Sequence, residues 1–415
     1  MHDGGRPFDV EALRRRFPAL GRRAAGRPAA YLDGPGGTQV PDGVIEAVAR
    51  TLREGVSNLG GGFPPSAAAD AIVADARRAV SDLFGASPQG VVFGQNMTSL
   101  TFAMSRALAR TWRPGDEIVL TRLDHDANVT PWRLAAAERG VAVRFADFDP
   151  ADGRLDIEGL EDLLGPRTRL VAVTHASNAL GSIPPVKRIV DAAHRSGALA
   201  YVDAVHAAPH RSIDVRALGC DVLVASAYKF FGPHTGMMVA DEALLDGLEA
   251  FKVAPAPGSG PGRWETGTQS FESLAGVTAA VDYLASLGTG DSRRDALRDA
   301  MGLIALHEEG LARRFFEGAS SIPGITIHGP APGTSPRAPT FALTLDGIRP
   351  ADAAARLAAE GIFAWSGHHY AVEATRRLGL LDRGGTLRIG FVHYSTVEEV
   401  DRVLEALARM TPPGS

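Results

Sequence analysis

The chain has 415 residues, 45% of them hydrophobic and 22% charged, which suits two or three packed units and excludes a disordered or membrane-embedded chain. Its 43 Lys and Arg against 48 Asp and Glu leave a net charge of −5, so nothing draws it generally to nucleic acid or to an anionic membrane surface, and neither is expected as a partner. A single cysteine, Cys220, excludes an internal disulfide and a cysteine-based metal site. No metal is expected, and without a signal-like apolar core or a run of about 18 apolar residues the expected location is the cytoplasm.

In chain order, residues 1–30 read as a polar, Arg-rich arm with a helical stretch from Val10 to Phe17. YLDGPGGTQ then turns into an amphipathic helix. From Val91 to Ser226 short apolar runs (VVF, EIVLT, VRFADF, LVAVTH, ALAYVD, DVLVAS) alternate with helical patterns, including Pro131–Arg139 and Val186–Arg195. That alternation predicts an α/β fold with a mostly parallel sheet covered on both faces. Residues 254–267 are too rich in Gly and Pro for regular structure, and a helix is expected over Leu274–Leu287. The remainder, with a polar helix from Arg293 to Phe316, reads as a smaller α+β unit. The expected division is therefore an arm to residue 30, a large unit over 31–289 and a small unit from 290.

Several residues stand where a parallel sheet gathers ligands, at the carboxyl ends of its strands. Lys229, in SAYKFFGP, is one of only three lysines, with Lys187 and Lys252, among 43 basic residues. Where arginine supplies nearly all positive charge, a lysine flanked by aromatics suggests an amine that must lose its proton to act as a nucleophile, which arginine cannot do. Asp203 ends ALAYVD, where a carboxylate can hold a proton on a heteroaromatic nitrogen; a capping aspartate is the alternative reading. FGQNMTS places a turn with Gly94 and Asn96 before hydroxyls Thr98 and Ser99 at a helix start, an anion cradle without either the dinucleotide or the nucleoside-triphosphate glycine pattern, so a small phosphate monoester fits best; plain helix capping by Thr98 or Ser99 is the alternative reading. His125 follows EIVLT and offers a flat imidazole, Asn178 and His206 extend the same edge, and Arg388 lies inside an apolar strand-like run, where a guanidinium needs a carboxylate partner, internal or bound. Together these groups describe a pyridoxal-phosphate site for an amino acid.

The segments YLDGPGGTQ, FGQNMTS, LDHDANVTPW, THASNALGSIPPV, VDAVHAAPH, SAYKFFGPHTG, RWETGTQ and LRIGFVHYSTVEEVDRV resemble the class V aminotransferase superfamily, most closely the cysteine desulfurases and desulfurase-like lyases, over about residues 30–410. The resemblance implies the pyridoxal-phosphate fold of type I, like that of aspartate aminotransferase, and a homodimer whose active sites lie between subunits. It implies that Lys229 holds the cofactor as an imine, Asp203 pairs with the pyridine nitrogen, His125 stacks on the ring, and Asn178 and His206 lie near the phenolic oxygen, where relatives commonly carry glutamine in place of His206. It assigns the phosphate to the Met97 backbone, Thr98, Ser226 and Tyr228, with Thr268 from the second subunit; Tyr228 stands where histidine is usual. It gives the substrate α-carboxylate to Arg388.

The chain departs from that family in the loop that carries its persulfide cysteine. Here the loop reads FAWSGHHYA, with Tyr370 at the cysteine's place and Trp365 where arginine is usual. Trp365, His369 and Tyr370, with His368, are expected to shape a pocket for a different side chain. The expected chemistry is α,β-elimination from an S-substituted cysteine or similar amino acid, with Lys229 moving the Cα proton. Transamination, epimerisation and a non-catalytic cofactor-binding role remain open at this point.

Overall fold

The computed structural model describes residues 8–411. Its larger sheet has seven strands, β1 (Val91–Gly94), β2 (Glu117–Thr121), β3 (Ala142–Ala146), β4 (Thr168–Thr174), β5 (Leu199–Asp203), β6 (Val222–Ser226) and β7 (Gly236–Ala240), in the spatial order β1-β7-β6-β5-β4-β2-β3. The β2–β3, β2–β4, β4–β5 and β5–β6 pairs are parallel, while β7 runs antiparallel to both its neighbours. Two reversals cancel, so β1 points the same way as β6. The carboxyl ends of β1, β2, β4, β5 and β6 therefore share one edge, and every sequence-predicted residue from Met97 to Lys229 closes one of those strands, as Asp203 and Ser226 do, or follows its end.

Successive strand residues enter opposite cores: Val171 and Val173 pack with one apolar cluster, Leu170 and Ala172 with the other. This is the period of two expected of a strand buried on both faces. The expected helices form as Val10–Arg14, Thr130–Arg139, Val186–Arg195, Phe271–Ala285 and Arg293–Ser320. The first is shorter than the sequence suggests because Pro18 opens a separate 3-10 turn. Residues 254–267 hold only the 3-10 turn Pro261–Arg263.

A second, antiparallel sheet comprises β8 (Ile325–His328), β9 (Thr340–Leu345), β10 (Trp365–Gly367) and β11 (Thr386–Gly390), in the order β8-β9-β11-β10. The helix Arg293–Ser320 serves both units. Leu297, Met301 and Ile304 join the core of the large sheet, whereas Leu311, Phe315 and Ala319 join that of the small one. Ala30–Tyr31 pairs with Ile362–Phe363, and Ala30 and Leu32 are buried in the small core. Leu13, Phe17, Leu20, Ala29 and Tyr31 join the core of the large sheet, so we propose that the division runs through the long helix and that the segment before Gly36 packs on both units; residues 1–7 of the arm lie outside the described residues. No helix among the described residues is long and apolar enough to cross a membrane.

Candidate active site

A cavity of about 700 Å³ opens on the shared strand edge and is lined by Met97, Thr98, His125, Asn178, Asp203, His206, Ser226, Tyr228 and Lys229 together with Gln95, Asn96, Thr174, Ala176, Val205 and His234. Lys229 sits in a 3-10 turn directly after β6. Its ammonium donates to the Pro35 carbonyl of the GPGG turn, which chain folding carries 194 positions across the sequence, and lies 4.9 Å from the Tyr228 ring centre. Burial, reinforced by the Arg388 charge, lowers its pKa to about 7 against the opposing pull of Asp203 and Asp33. A large share of it is then a free amine near neutrality.

Asp203 is 3% exposed and accepts the Val205 amide at 2.9 Å. Burial raises its pKa to about 6, with Lys229 acting in the opposite sense, so it is mainly ionised at pH 7. Behind it lies a second buried carboxyl, Asp124, which accepts from the Thr121 hydroxyl and from Asn128 Nδ2. Burial pushes Asp124 up to about 8 and the charge of Asp203 adds to that rise. One carboxyl in this pair is thus kept neutral while the cavity-lining one carries the charge. His125 is held by an N–H of Ala127 donating to its Nδ1 at 3.0 Å, and burial lowers it to about 3. It is a neutral, flat ring.

The anion cradle follows β1. Asn96 caps the helix Met97–Ala109 in a reciprocal box with Ser99. The Met97 amide, expected to face an anion, instead donates to the Ser226 hydroxyl at 3.0 Å, which ties the cradle to the end of β6. The Thr98 hydroxyl meets only the Met97 sulfur, at 3.6 Å, and stays available. Tyr228 stacks on His234 with ring centres 5.0 Å apart. Gly236 of β7 permits this assembly, because a Cβ there would stand 2.2 Å from the Asn96 carbonyl carbon. Gly236→Ala is expected to push the helix start off the sheet and destabilise the fold by about 1–3 kcal/mol or more. Thermal melting and cofactor titration should show a lowered Tm and at least about tenfold weaker binding.

Arg388, at the centre of β11, is 5% exposed and makes no ion pair among the described residues. Its Nη1 donates to the Asn178 carbonyl at 3.1 Å, while Nε has no partner. Burial lowers its pKa to about 10, yet it stays charged. A buried guanidinium with unused donors has the chemistry to receive a carboxylate, and the internal ion pair that sequence reasoning kept open is not formed among the described residues. The Asn178 Oδ1 is likewise buried without a partner, while its Nδ2 donates to the His369 carbonyl at 2.9 Å.

The loop after β10 stands over these groups rather than among the cavity walls. Trp365, expected in a loop, begins β10 opposite Arg388 and is 56% exposed. Its indole occupies the space a Cβ on Gly36 would take. His369 and Tyr370 adopt successive left-handed conformations, with φ of 53° and 56°, which is costly for residues with a Cβ. Three contacts hold the pair there: Asn178 on the His369 carbonyl, the Tyr370 amide donating to His368 Nδ1 at 3.0 Å, and the Asp126 amide donating to the Tyr370 carbonyl at 2.7 Å. The Tyr370 ring stacks on His125, with centres 5.5 Å apart and planes inclined by 14°. Thr268 is not among the Lys229 cavity's walls; it lines neighbouring cavities with Gly267 and Gln269. Cys220 precedes β6, at the end opposite Lys229, and burial pushes its thiol to about 12.

Asp33, Asp124 and His234 escaped sequence reasoning. Asp33 adjoins the GPGG turn, its Oδ1 is buried without a partner, and burial raises it to about 6 despite the charges of Arg388 and Lys229. Only the adjacency of Asp124 to His125 could have hinted at the second.

This fold is that of the pyridoxal-phosphate enzymes of fold type I, and the site gathers a buried lysine, a charged carboxylate at a strand end, a flat neutral imidazole, a helix-start cradle and an unpaired buried guanidinium, a set whose chemistry suits that cofactor and an amino-acid carboxylate. Residues 30–403 match the family described as aminotransferase class-V, and the chain belongs to it. A probable cysteine desulfurase of Mycolicibacterium paratuberculosis is 34% identical over 98% of this chain and 59% of its own length, and one from Synechocystis is 30% identical over 97% of this chain and 95% of its own. The chain thus spans about three-fifths of the mycobacterial relative. Among solved structures, the apo cysteine desulfurase of Thermococcus onnurineus superposes with a TM-score of 0.87 at 26% identity, covering 99% of each chain. The cysteine desulfurase CsdA of Escherichia coli gives 0.83 at 26% identity, over 97% of this chain and 98% of its own.

Proposed function

We propose that the chain is a lyase that removes a β-substituent from an amino acid, in the manner of a desulfurase but without a persulfide. Bound pyridoxal phosphate would supply the electron sink for charge developing at the substrate's Cα. Arg388 orients the α-carboxylate, Lys229 takes the Cα proton, Asp203 holds the proton on the ring nitrogen, and Thr98, Ser226 and Tyr228 anchor the phosphate. His125 lies against the ring face. Tyr370, which the family resemblance sets where the desulfurases carry their thiol, supports this choice of reaction: a phenol cannot accept sulfur, and the one thiol, half-buried, lies at the far end of β6 from Lys229. We infer that the protein works as a homodimer. Leu59, Phe251 and Val253 are exposed around a cavity that also holds Thr268, a face suited to a second copy that would bring Thr268 to the other subunit's phosphate. A cytoplasmic location fits the single cysteine.

Incubation with S-substituted cysteines in the absence of any keto-acid acceptor is expected to release a 2-keto acid and ammonia in equal amounts. Strict need for an acceptor would establish a transaminase instead, and return of only the mirror-image amino acid an epimerase. A 32-Da adduct on Cys220 after incubation with cysteine would overturn the persulfide-free reading.

Arg388→Lys should separate binding from chemistry. Lysine keeps the charge but loses the fork that meets a carboxylate in two places, so KM is expected to rise by about 10–100-fold, equivalent to roughly 1.5–3 kcal/mol, with little change in kcat. An unchanged KM would remove Arg388 from the substrate site.

A further inference from the structure

Behind the cavity, His206 connects to groups on both units. Its Nε2 lies 2.9 Å from the hydroxyl of Thr340, the first residue of β9, and the residue is 4% exposed. Its ring meets that of His210 edge-on, with centres 5.1 Å apart and planes inclined by 75°. His210 Nδ1 in turn lies 2.9 Å from Glu308 Oε2, on the long helix shared by the two cores, with both side chains buried. On the other side of His210 a cleft is lined by Glu308, Glu309, Arg211 and Arg337. His307 and His393 are the further titratable groups beside Glu308.

We propose that Thr340, with the Glu308–His210 pair, acts as a positioning set that fixes His206 as the neutral tautomer carrying its proton on Nδ1, the nitrogen left to donate to the cofactor's ring oxygen. This rests on the pyridoxal-phosphate reading above. Burial, with the nearby Lys229 and Arg388 charges acting in the same direction, disfavours a second proton on the His206 ring. A neutral imidazole has one N–H. If that hydrogen sat on Nε2 and pointed to Thr340, a bare lone pair on Nδ1 would remain for an anionic oxygen, acceptor against acceptor. With the Thr340 hydroxyl donating to Nε2, the hydrogen is on Nδ1 and both ends are satisfied. Glu308 accepts from His210 Nδ1 and thereby holds the ring that packs against His206.

The test uses the holoenzyme. Selective ¹⁵N-histidine labelling, with His206→Gln to assign the resonance, is expected to show Nδ1 protonated and Nε2 bare; the reverse pattern overturns the proposal without needing any other variant. In Thr340→Val the pH at which the bound cofactor's visible absorbance changes should rise by about one unit, since loss of a donor to the ring oxygen raises the imine nitrogen's proton affinity. Thr340→Ser should restore the original midpoint, and Glu308→Gln should shift it in the same direction by less. Unshifted midpoints in Thr340→Val and Glu308→Gln refute the positioning role while leaving the cofactor reading intact. A wild-type chain that takes up no cofactor overturns both.

Discussion

Replacement of Lys229 by arginine is expected to lower turnover by at least about 10³-fold while leaving the fold intact. Arginine retains the charge and most of the length, but a guanidinium does not become a nucleophile or base at any accessible pH. Borohydride treatment should fix the cofactor permanently to the wild-type chain, with the label on the peptide containing Lys229, and leave Lys229→Arg unlabelled. The pH dependence carries the sign of the shift. Because burial lowers Lys229 from 10.5 to about 7, cofactor uptake by the apoprotein should accelerate about tenfold per pH unit below 7 and level off above it. An ordinary exposed lysine would continue to accelerate to above pH 10. Wild-type turnover in Lys229→Arg, or a label mapped to Lys187 or Lys252, would refute the assignment.

The portion of this site that local sequence could reveal is the portion built on strand ends. Apolar runs of four to seven residues announce the strands, and the polar residue after each must stand at the edge; Asp203, His125 and Lys229 were legible for that reason. What remained hidden depends on contacts between distant segments. The Lys229–Pro35, His206–Thr340 and Asn178–His369 pairs join positions 194, 134 and 191 residues apart, and no local pattern encodes them. The antiparallel β7 was hidden too, since an apolar pentapeptide reads alike in either direction. His369 and Tyr370 carry no glycine to flag their positive φ; their conformation is imposed by the three hydrogen bonds around them. The family resemblance gives the Met97 amide to an anion, and the Ser226 hydroxyl that takes it here comes from 129 positions later. Asp124 looks like a turn residue until folding buries it behind Asp203.

Asp203→Asn is expected to produce the second large loss, and for a different reason. An ionised carboxylate about 4 Å from a protonated ring nitrogen is worth about 4 kcal/mol at an effective dielectric of 20, so its neutral isostere should lower kcat by about 10³-fold. Asparagine preserves shape and can still accept the Val205 amide, hence the melting temperature should change little. The same charge sets an acid limit. Asp203 has its pKa raised to about 6 by burial, so in the chain without cofactor it is charged above that value and becomes protonated as pH falls through it; a cationic ring nitrogen stabilises the carboxylate and moves that limit downward. The holoenzyme should therefore keep its cofactor to lower pH than the pH at which the apoprotein ceases to take it up. Asp124, held neutral up to about 8, contributes to this arrangement: Asp124→Asn leaves a neutral group in place and should alter kcat far less than Asp203→Asn. Equal losses in the two variants would mean that the charge is shared across the pair, and that Asp203 alone does not hold the ring proton.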